Sequence, residues 1–264
     1  AFLRESESKR QDKGIEFLSE PSSCSMAEEW FDFADSEHFW MKWRFEVLKK
    51  ILPLDYAWGP ALDIGCGNGI VGGQIEKWYG HKVCGCDLNL SALRMIPAGR
   101  NLLYFYNIHQ RYKKFEEAFS NVLLMDVLEH IDDPVTFLNA VRFHLKPGGN
   151  LIIDVPALPI FYSKYDKVAG HVRRYNIASL KKELNLAGFE LEKAVYWGMS
   201  LIPLLLIRKF LLFFCKDHKV IKIGFQPMSP LVSSILDCMR RFECKFFLRV
   251  PIGASLMVIA KKKT

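Results

Sequence analysis

The amino-acid sequence predicts an α/β fold: a seven-stranded, mostly parallel sheet whose last strand runs antiparallel, with an N-terminal helical cap and a helical insertion before the last strand. Three observations predict it. Apolar runs at 60–64, 82–87, 102–107, 120–126, 150–156 and 189–197 are bounded by Gly, Pro, Asn or Asp and alternate with segments of helical periodicity, the signature of β–α units joined by right-handed crossovers. A seventh run, Ser255-Leu256-Met257-Val258-Ile259-Ala260, follows a long helical stretch and can therefore enter the sheet from the opposite direction. The chain has 264 residues, 50% of them hydrophobic, which suits one large domain with a full core.

Residues 1–20 are charged and Ser-rich and read as a mobile tail, leaving 21–264 as a single domain. Over 27–52 the apolar residues Trp30, Phe31, Phe39, Trp40, Leu48, Ile51 and Leu52 recur at helical spacing, and Pro53 closes this cap. The insertion covers 198–252. Its apolar stretches, 201–207 and 210–214, contain Pro203 and are separated by Arg208 and Lys209, so they fall short of the roughly 20 apolar residues of a spanning helix. Two readings follow: a lid lining a hydrophobic acceptor pocket, or a surface resting on a membrane, with Arg208, Lys209, Lys216 and Lys219 meeting anionic head groups.

A formal net charge of +7 permits acidic partners. The basic residues are spread along the chain, however, and the densest run is only Lys261-Lys262-Lys263, which argues against nucleic acid. Seven cysteines, at 24, 66, 84, 86, 215, 238 and 244, are odd in number and lack framework spacing. With no secretory leader read ahead of them, a reducing cytoplasm is expected, with peripheral contact at the membrane as an addition. His81, Cys84 and Cys86 have no second pair at zinc spacing and read as part of a buried strand, so no metal is expected.

The most informative stretch is Ala61-Leu62-Asp63-Ile64-Gly65-Cys66-Gly67-Asn68-Gly69, an apolar strand running into a glycine-dense turn and then a helix. Such a turn lets a ligand touch the main chain where a β-carbon would collide. Gly67 to Gly72 also satisfies the G-x-G-x-x-G pattern of dinucleotide sites. Asp63 favours the other cofactor class, because a carboxylate at the strand end attracts a cationic ligand and repels a pyrophosphate. Asp87, ending the second strand, is placed to accept both hydroxyls of a ribose and serves either class.

The Asp63-to-Gly69 run resembles the first motif of class I S-adenosylmethionine-dependent methyltransferases, and Asp87 resembles their ribose-binding acid. Asp126-Val127-Leu128-Glu129-His130 is similar to their segment after the fourth strand, and Leu145-Lys146-Pro147-Gly148-Gly149 to the turn before the fifth. Glu37 to Arg44 and Gly170-His171-Val172-Arg173-Arg174-Tyr175 resemble elements of the methyltransferase type 11/type 12 group, which includes ubiquinone-biosynthesis-like enzymes. The resemblance implies a Rossmann-like domain that binds S-adenosyl-L-methionine and releases S-adenosyl-L-homocysteine. It implies a cofactor site of Trp40, Arg44, Asp63, Gly65, Cys66, Gly67, Gly69, Asp87, Leu88, Asn107, Met125, Asp126, Val127 and His130, with Asn107 on the adenine amino group. The substrates of that group are diverse, so the resemblance leaves the acceptor open. The apolar insertion points to a lipophilic or lipid-linked one, and a small molecule methylated on oxygen is expected, since the Asn-Pro-Pro-Tyr type of segment shared by enzymes that methylate adenine or glutamine is replaced here by Asp126-Val127-Leu128-Glu129.

Methyl transfer needs the acceptor aligned about 3 Å from the methyl and water kept out; a base is needed only for a hydroxyl or a protonated amine. His130, at the start of the helix after the fourth strand, and His171, with Tyr165 nearby, are the candidates. Arg173 and Arg174, with Tyr175 beside them, are expected to clamp a carboxylate or phosphate on the acceptor. Trp40 and Arg44 share a helix face at i and i+4 and are expected to shield the methionine end and meet its carboxylate. A nicotinamide-dependent oxidoreductase and a non-catalytic cofactor-binding scaffold are the competing readings.

Overall fold

The computed structural model describes residues 14–20, 35–97, 102–215, 230–246 and 250–264, together with Gly99 and Val220. Eight strands form one sheet: β1 (Ile15–Phe17), β2 (Ala61–Ile64), β3 (Cys84–Asp87), β4 (Leu103–Phe105), β5 (Phe119–Met125), β6 (Leu145–Pro156), β7 (Phe189–Trp197) and β8 (Ser255–Lys262). Their order is β1-β4-β3-β2-β5-β6-β8-β7. β8 runs antiparallel to both neighbours, and every other pairing is parallel.

The seven expected strands are all present, and the eighth is an addition. Residues 14–20, expected in the mobile tail, supply β1, which pairs with β4 and is continued by a hydrogen bond from the Leu18 amide to the Phe105 carbonyl (3.0 Å). Three residues on an edge show no periodicity that would separate them from a charged tail. The rest of that tail, residues 1–13, lies outside the described residues, as do 21–34 of the cap region.

The central strands β2 and β5 are buried on both sides because both faces of the sheet are covered there. Along β5, Val122 and Leu124 join a core with Phe137, Leu138 and Val141 of α4 (Pro134–His144) and Leu180 and Leu184 of α6 (Ile177–Leu186). Leu123 and Met125 face the other way, toward Trp43, Val47 and Leu48 of α1 (Phe39–Ile51) and Val71 and Ile75 of α2 (Ile70–Tyr79). As expected, α1 stops short of Pro53, and the Leu52 amide donates to the Leu48 carbonyl (2.9 Å) to close its last turn. Asp133 starts α4, accepting from the Thr136 amide (3.0 Å) ahead of Pro134.

The short α3 (Leu90–Arg94) follows β3, and α5 (Lys164–Val168) lies in the loop after β6. The insertion contains α7 (Ile202–Phe213) and α8 (Pro230–Phe246). α8 packs on α1, and its buried Glu243 accepts hydrogen bonds from the amides of Gly198, Met199 and Ser200 and from the Ser200 hydroxyl. That carboxylate caps the turn from which α7 departs, so one residue ties both insertion helices to the end of β7.

Candidate active site

A cavity of about 500 Å³ opens at the C-terminal ends of β2, β3 and β5, where doubly wound sheets bind ligands and within the size range of small-molecule sites. Its floor is the glycine turn. Gly65 and Gly69 have φ of +72° and +74°, and a β-carbon on Gly65 would stand 2.6 Å from Cγ2 of Val127. The backbone is thus kept bare by conformation and by crowding together. One oxygen of Asp87 accepts from the Gly67 amide (2.7 Å) and the other from the Asn89 amide (2.7 Å), which fixes the carboxylate at the rim of the turn. Asp63 is buried, with Oδ1 lacking any hydrogen-bond partner. Burial pushes its carboxyl up to about 7, against the pull of Arg44 and with a further push from Asp87.

α1 closes one side. Trp40 lines the cavity and packs on Trp197, ring centroids 4.6 Å apart. Arg44 also lines it, and its Nη1 stands 2.6 Å from Oδ2 of Asp126, while Nη2 donates to the Met41 sulfur (3.2 Å). The expected partner of Arg44, a ligand carboxylate, thus shares the guanidinium with a residue of the β5 end.

The opposite wall brings two histidines together. His130 and His171 meet edge to face at 4.8 Å although 41 positions separate them in the chain. Nδ1 of His130 faces the Gly170 carbonyl (3.2 Å) and Nδ1 of His171 faces Oδ1 of Asp166 (3.1 Å). Both partners only accept, so each Nδ1 carries the proton and each Nε2 is left as the basic atom. Burial, then His171, lowers His130 to about 4. Burial alone would raise Asp166, but the His171 hydrogen bond and the Arg174 guanidinium hold it well below the usual carboxylate range. Tyr165 lies against His171, ring centroids 6.2 Å apart, and burial raises its hydroxyl far above the ordinary value, so it serves as a donor.

Glu129 completes this wall. It is fully buried with both carboxylate oxygens unpartnered, and burial, then Asp126, raises its carboxyl well above the usual range. Glu129, His130 and His171 each offer a ligand atom within 4.8 Å of the others, a carboxylate–imidazole set that a divalent cation fits. The residues weighed from the sequence for a metal lie elsewhere: His81 stacks on Trp58, and Cys84 and Cys86 sit in β3.

Residues 37–194, more than half of the chain, match the family model described as a methyltransferase domain. The chain belongs to the class I S-adenosylmethionine-dependent methyltransferases. Among curated relatives, the ubiquinone biosynthesis O-methyltransferase of Cereibacter sphaeroides is 34% identical over 105 residues, covering 38% of this methyltransferase and 42% of that enzyme. Among solved structures, a methyltransferase of Archaeoglobus fulgidus shares 18% identity at a TM-score of 0.53, covering 86% of this chain and 97% of that one. A phosphoethanolamine N-methyltransferase of Haemonchus contortus in complex with S-adenosylmethionine has the same identity and TM-score, with 84% and 53% covered. These likenesses confirm the Rossmann-like fold.

Of the site residues expected from the sequence, the methyltransferase cavity is lined by Trp40, Arg44, Asp63, Gly65, Cys66, Gly67, Asp87, Met125, Asp126, Val127, His130, Tyr165, His171 and Arg174. Five others stand outside it. Gly69 acts as the left-handed start of α2, and Leu88 packs in a core with Leu93 and Ile96. The Asn107 side chain is engaged locally, its Oδ1 accepting from the His109 amide (3.1 Å), while its backbone amide donates to Oγ of Ser19 (2.7 Å), two residues past β1.

The paired-arginine clamp is not formed. Arg173 reaches outward to the Asp132 carbonyl (2.8 Å) and toward Glu183 (3.7 Å). Arg174 turns inward, its Nε on Asp166 (2.7 Å) and Nη1 on the Ala157 carbonyl (3.1 Å). Tyr175 is buried in the core beneath, its hydroxyl donating to the Leu128 carbonyl (3.4 Å). Sequence reasoning placed Glu129 at the site only as part of the Asp126–His130 segment and gave it no role of its own. It also missed the inward turn of Arg208, whose signal was the Arg208-Lys209 pair in an otherwise apolar helix.

Proposed function

We propose that this methyltransferase moves the methyl group of S-adenosylmethionine to a hydroxyl of a small lipophilic acceptor. The observation that carries this is the junction, in one cavity, of an acidic glycine turn and a carboxylate-oriented histidine. S-adenosylmethionine supplies an electrophilic methyl on a positive sulfur. Its cationic end suits the unpartnered Asp63 oxygen, its ribose suits Asp87, and the bare Gly65–Gly67 backbone admits the contact. Asp63 would repel the pyrophosphate of a dinucleotide, which weighs against the oxidoreductase reading.

His171 is the candidate base. The Asp166 carboxylate holds its Nδ1 proton and would stabilise the imidazolium formed when Nε2 takes the acceptor proton. His130, held neutral by its surroundings, suits an accepting partner that orients the hydroxyl. Trp40 and the apolar residues of α7 keep water from the reacting atoms. The O-methyltransferase relatives support oxygen as the target.

The outer face of the insertion supports a peripheral membrane setting. Phe210, Phe213 and Phe214 are 67, 75 and 72% exposed, while no helix among the described residues is long and apolar enough to cross a membrane. A chain that lies on a bilayer would take a lipophilic acceptor from it through the α7 side of the cavity.

Calorimetric titration with S-adenosylhomocysteine and with NAD tests the reading. Tight binding of the former is expected, and Asp87→Ala should weaken it at least about 100-fold, the loss of charged hydrogen bonds of roughly 3 kcal/mol. Binding of NAD alone would sink the proposal. Mass spectrometry of cell extract incubated with isotopically labelled cofactor then identifies the acceptor.

A further inference from the structure

Two cations, Arg208 and Lys209, stand side by side in the centre of α7, and the helix turns Arg208 into the cavity. Its immediate neighbour Lys209 faces the other way, with Nζ donating to the Ile160 carbonyl at the surface (2.8 Å). The Arg208 guanidinium lies over the Tyr165 ring, Cζ 4.2 Å from the centroid, and among the described residues no carboxylate stands within ion-pair distance of it. Burial lowers its pKa, so the site disfavours the charge it holds. Stacking on a tyrosine offsets only part of the lost hydration of a guanidinium. The other cations of the cavity are already engaged, Arg44 by Asp126 and Arg174 by Asp166. Arg208 therefore presents an unbalanced positive charge, on the same wall as Arg174 and separated from His171 by the Tyr165 ring.

Around this charge the cavity is aliphatic. Leu204, Leu205, Ile207, Leu211 and Leu212 of α7, with Leu236 of α8, form the lining. A planar donor fork set in an apolar wall matches an oxyanion attached to a hydrocarbon, since the fork recognises the head and the wall the chain.

We propose that Arg208 is the head-group anchor of the acceptor subsite, and that the acceptor is an anionic amphiphile: a phosphate or carboxylate bound beneath α7 with an apolar chain along the insertion. This rests on the acceptor entering the cavity from the α7 side, as in the function proposed above, and it moves the anion contact expected of the Arg173–Arg174 pair to Arg208. The anion sits one aromatic ring from His171, close enough to hold a neighbouring hydroxyl of the same molecule against that base.

The test uses the full chain and calorimetry with n-decyl phosphate, n-decanol and inorganic phosphate, below the concentration at which either amphiphile aggregates. The wild type is expected to bind decyl phosphate at least tenfold more tightly than decanol, with no saturable binding of inorganic phosphate in that range. Arg208→Gln should bring the two amphiphiles within about threefold of each other, Arg208→Lys should keep part of the preference, and Arg241→Gln on the exposed side of α8 should keep all of it. Unchanged S-adenosylhomocysteine affinity in Arg208→Gln would show that the variant is folded. Equal binding of decanol and decyl phosphate by the wild type, or an undiminished preference in Arg208→Gln, overturns the anchor. Inorganic phosphate binding as tightly as decyl phosphate overturns the amphiphile. Loss of S-adenosylhomocysteine binding by the wild type, with the anion preference intact, would fail the methyltransferase reading and leave the anchor standing.

Discussion

At the scale of single residues, burial sets the chemistry. Asp63 has an ordinary pKa of 3.8 and reaches about 7 inside the fold. Between those values the folded chain holds a proton that the unfolded chain has released, so this group's contribution to stability falls as pH rises from about 4 to about 7 and is constant above. A cationic ligand favours the ionised form, so S-adenosylmethionine affinity should rise as pH passes from 6 to 8. Asp63→Asn should bind more weakly and show a flat profile over that range; calorimetry at several pH values checks both. His130 behaves oppositely. Its pKa falls from 6.5 to about 4, so its stabilising share grows as pH rises across that window.

The two histidines separate by their partners. His171 is backed by a carboxylate and His130 by a neutral carbonyl. His171→Ala should therefore reduce turnover by about 10²–10⁴-fold, while His130→Ala should cost clearly less, and both should keep cofactor affinity. Single-turnover rates on the identified acceptor decide this; equal small effects would mean that neither ring acts as base. Which nitrogen faces the cavity could not be read from the sequence, because it depends on Asp166 and Gly170 closing around the rings. The same holds for Arg173 and Arg174: neighbours in the chain, they point to opposite sides of a loop.

At the scale of elements, short-range signals read well and edges read poorly. Strands β2, β3, β5 and β6 are apolar on both sides, and the cap helix ends at its proline, so each is visible in composition and spacing. β1 is not, since three edge residues gain their conformation from β4. The insertion was legible as helical and apolar, but its attachment was not. A single carboxylate, Glu243, takes four hydrogen bonds from the turn at 198–200. Glu243→Ala should leave those donors unmatched and cost roughly 2–4 kcal/mol of stability, seen as a lowered midpoint in urea. Cofactor affinity should change little, because the glycine turn lies on another strand. A variant as stable as the wild type would show that water replaces the carboxylate.

At the scale of the molecule, the insertion presents an apolar surface beside the cavity mouth. Fully burying a phenylalanine is worth about 1.5–3 kcal/mol, so Phe210→Ser with Phe213→Ser should weaken binding to anionic vesicles by tenfold or more in a sedimentation assay. Attraction to anionic lipid should fall with added salt, while the apolar share should persist. Absence of vesicle binding by the wild type would restrict α7 to the role of a lid.

The sequence by itself determined the sheet order's raw material, the antiparallel last strand, the glycine turn and the acids that flank it. The turn and its acids are local: a strand, a tight bend and the next strand end lie close wherever such a chain folds. The tertiary structure alone decided which side chains share the cavity. The Glu129–His130 dipeptide, His171 and Arg208 come from three segments far apart in the chain, and their orientation follows from how the loop after β6 and the insertion pack against the strand ends. Long-range packing, and no pattern of spacing, turned Arg208 inward and Arg173 out.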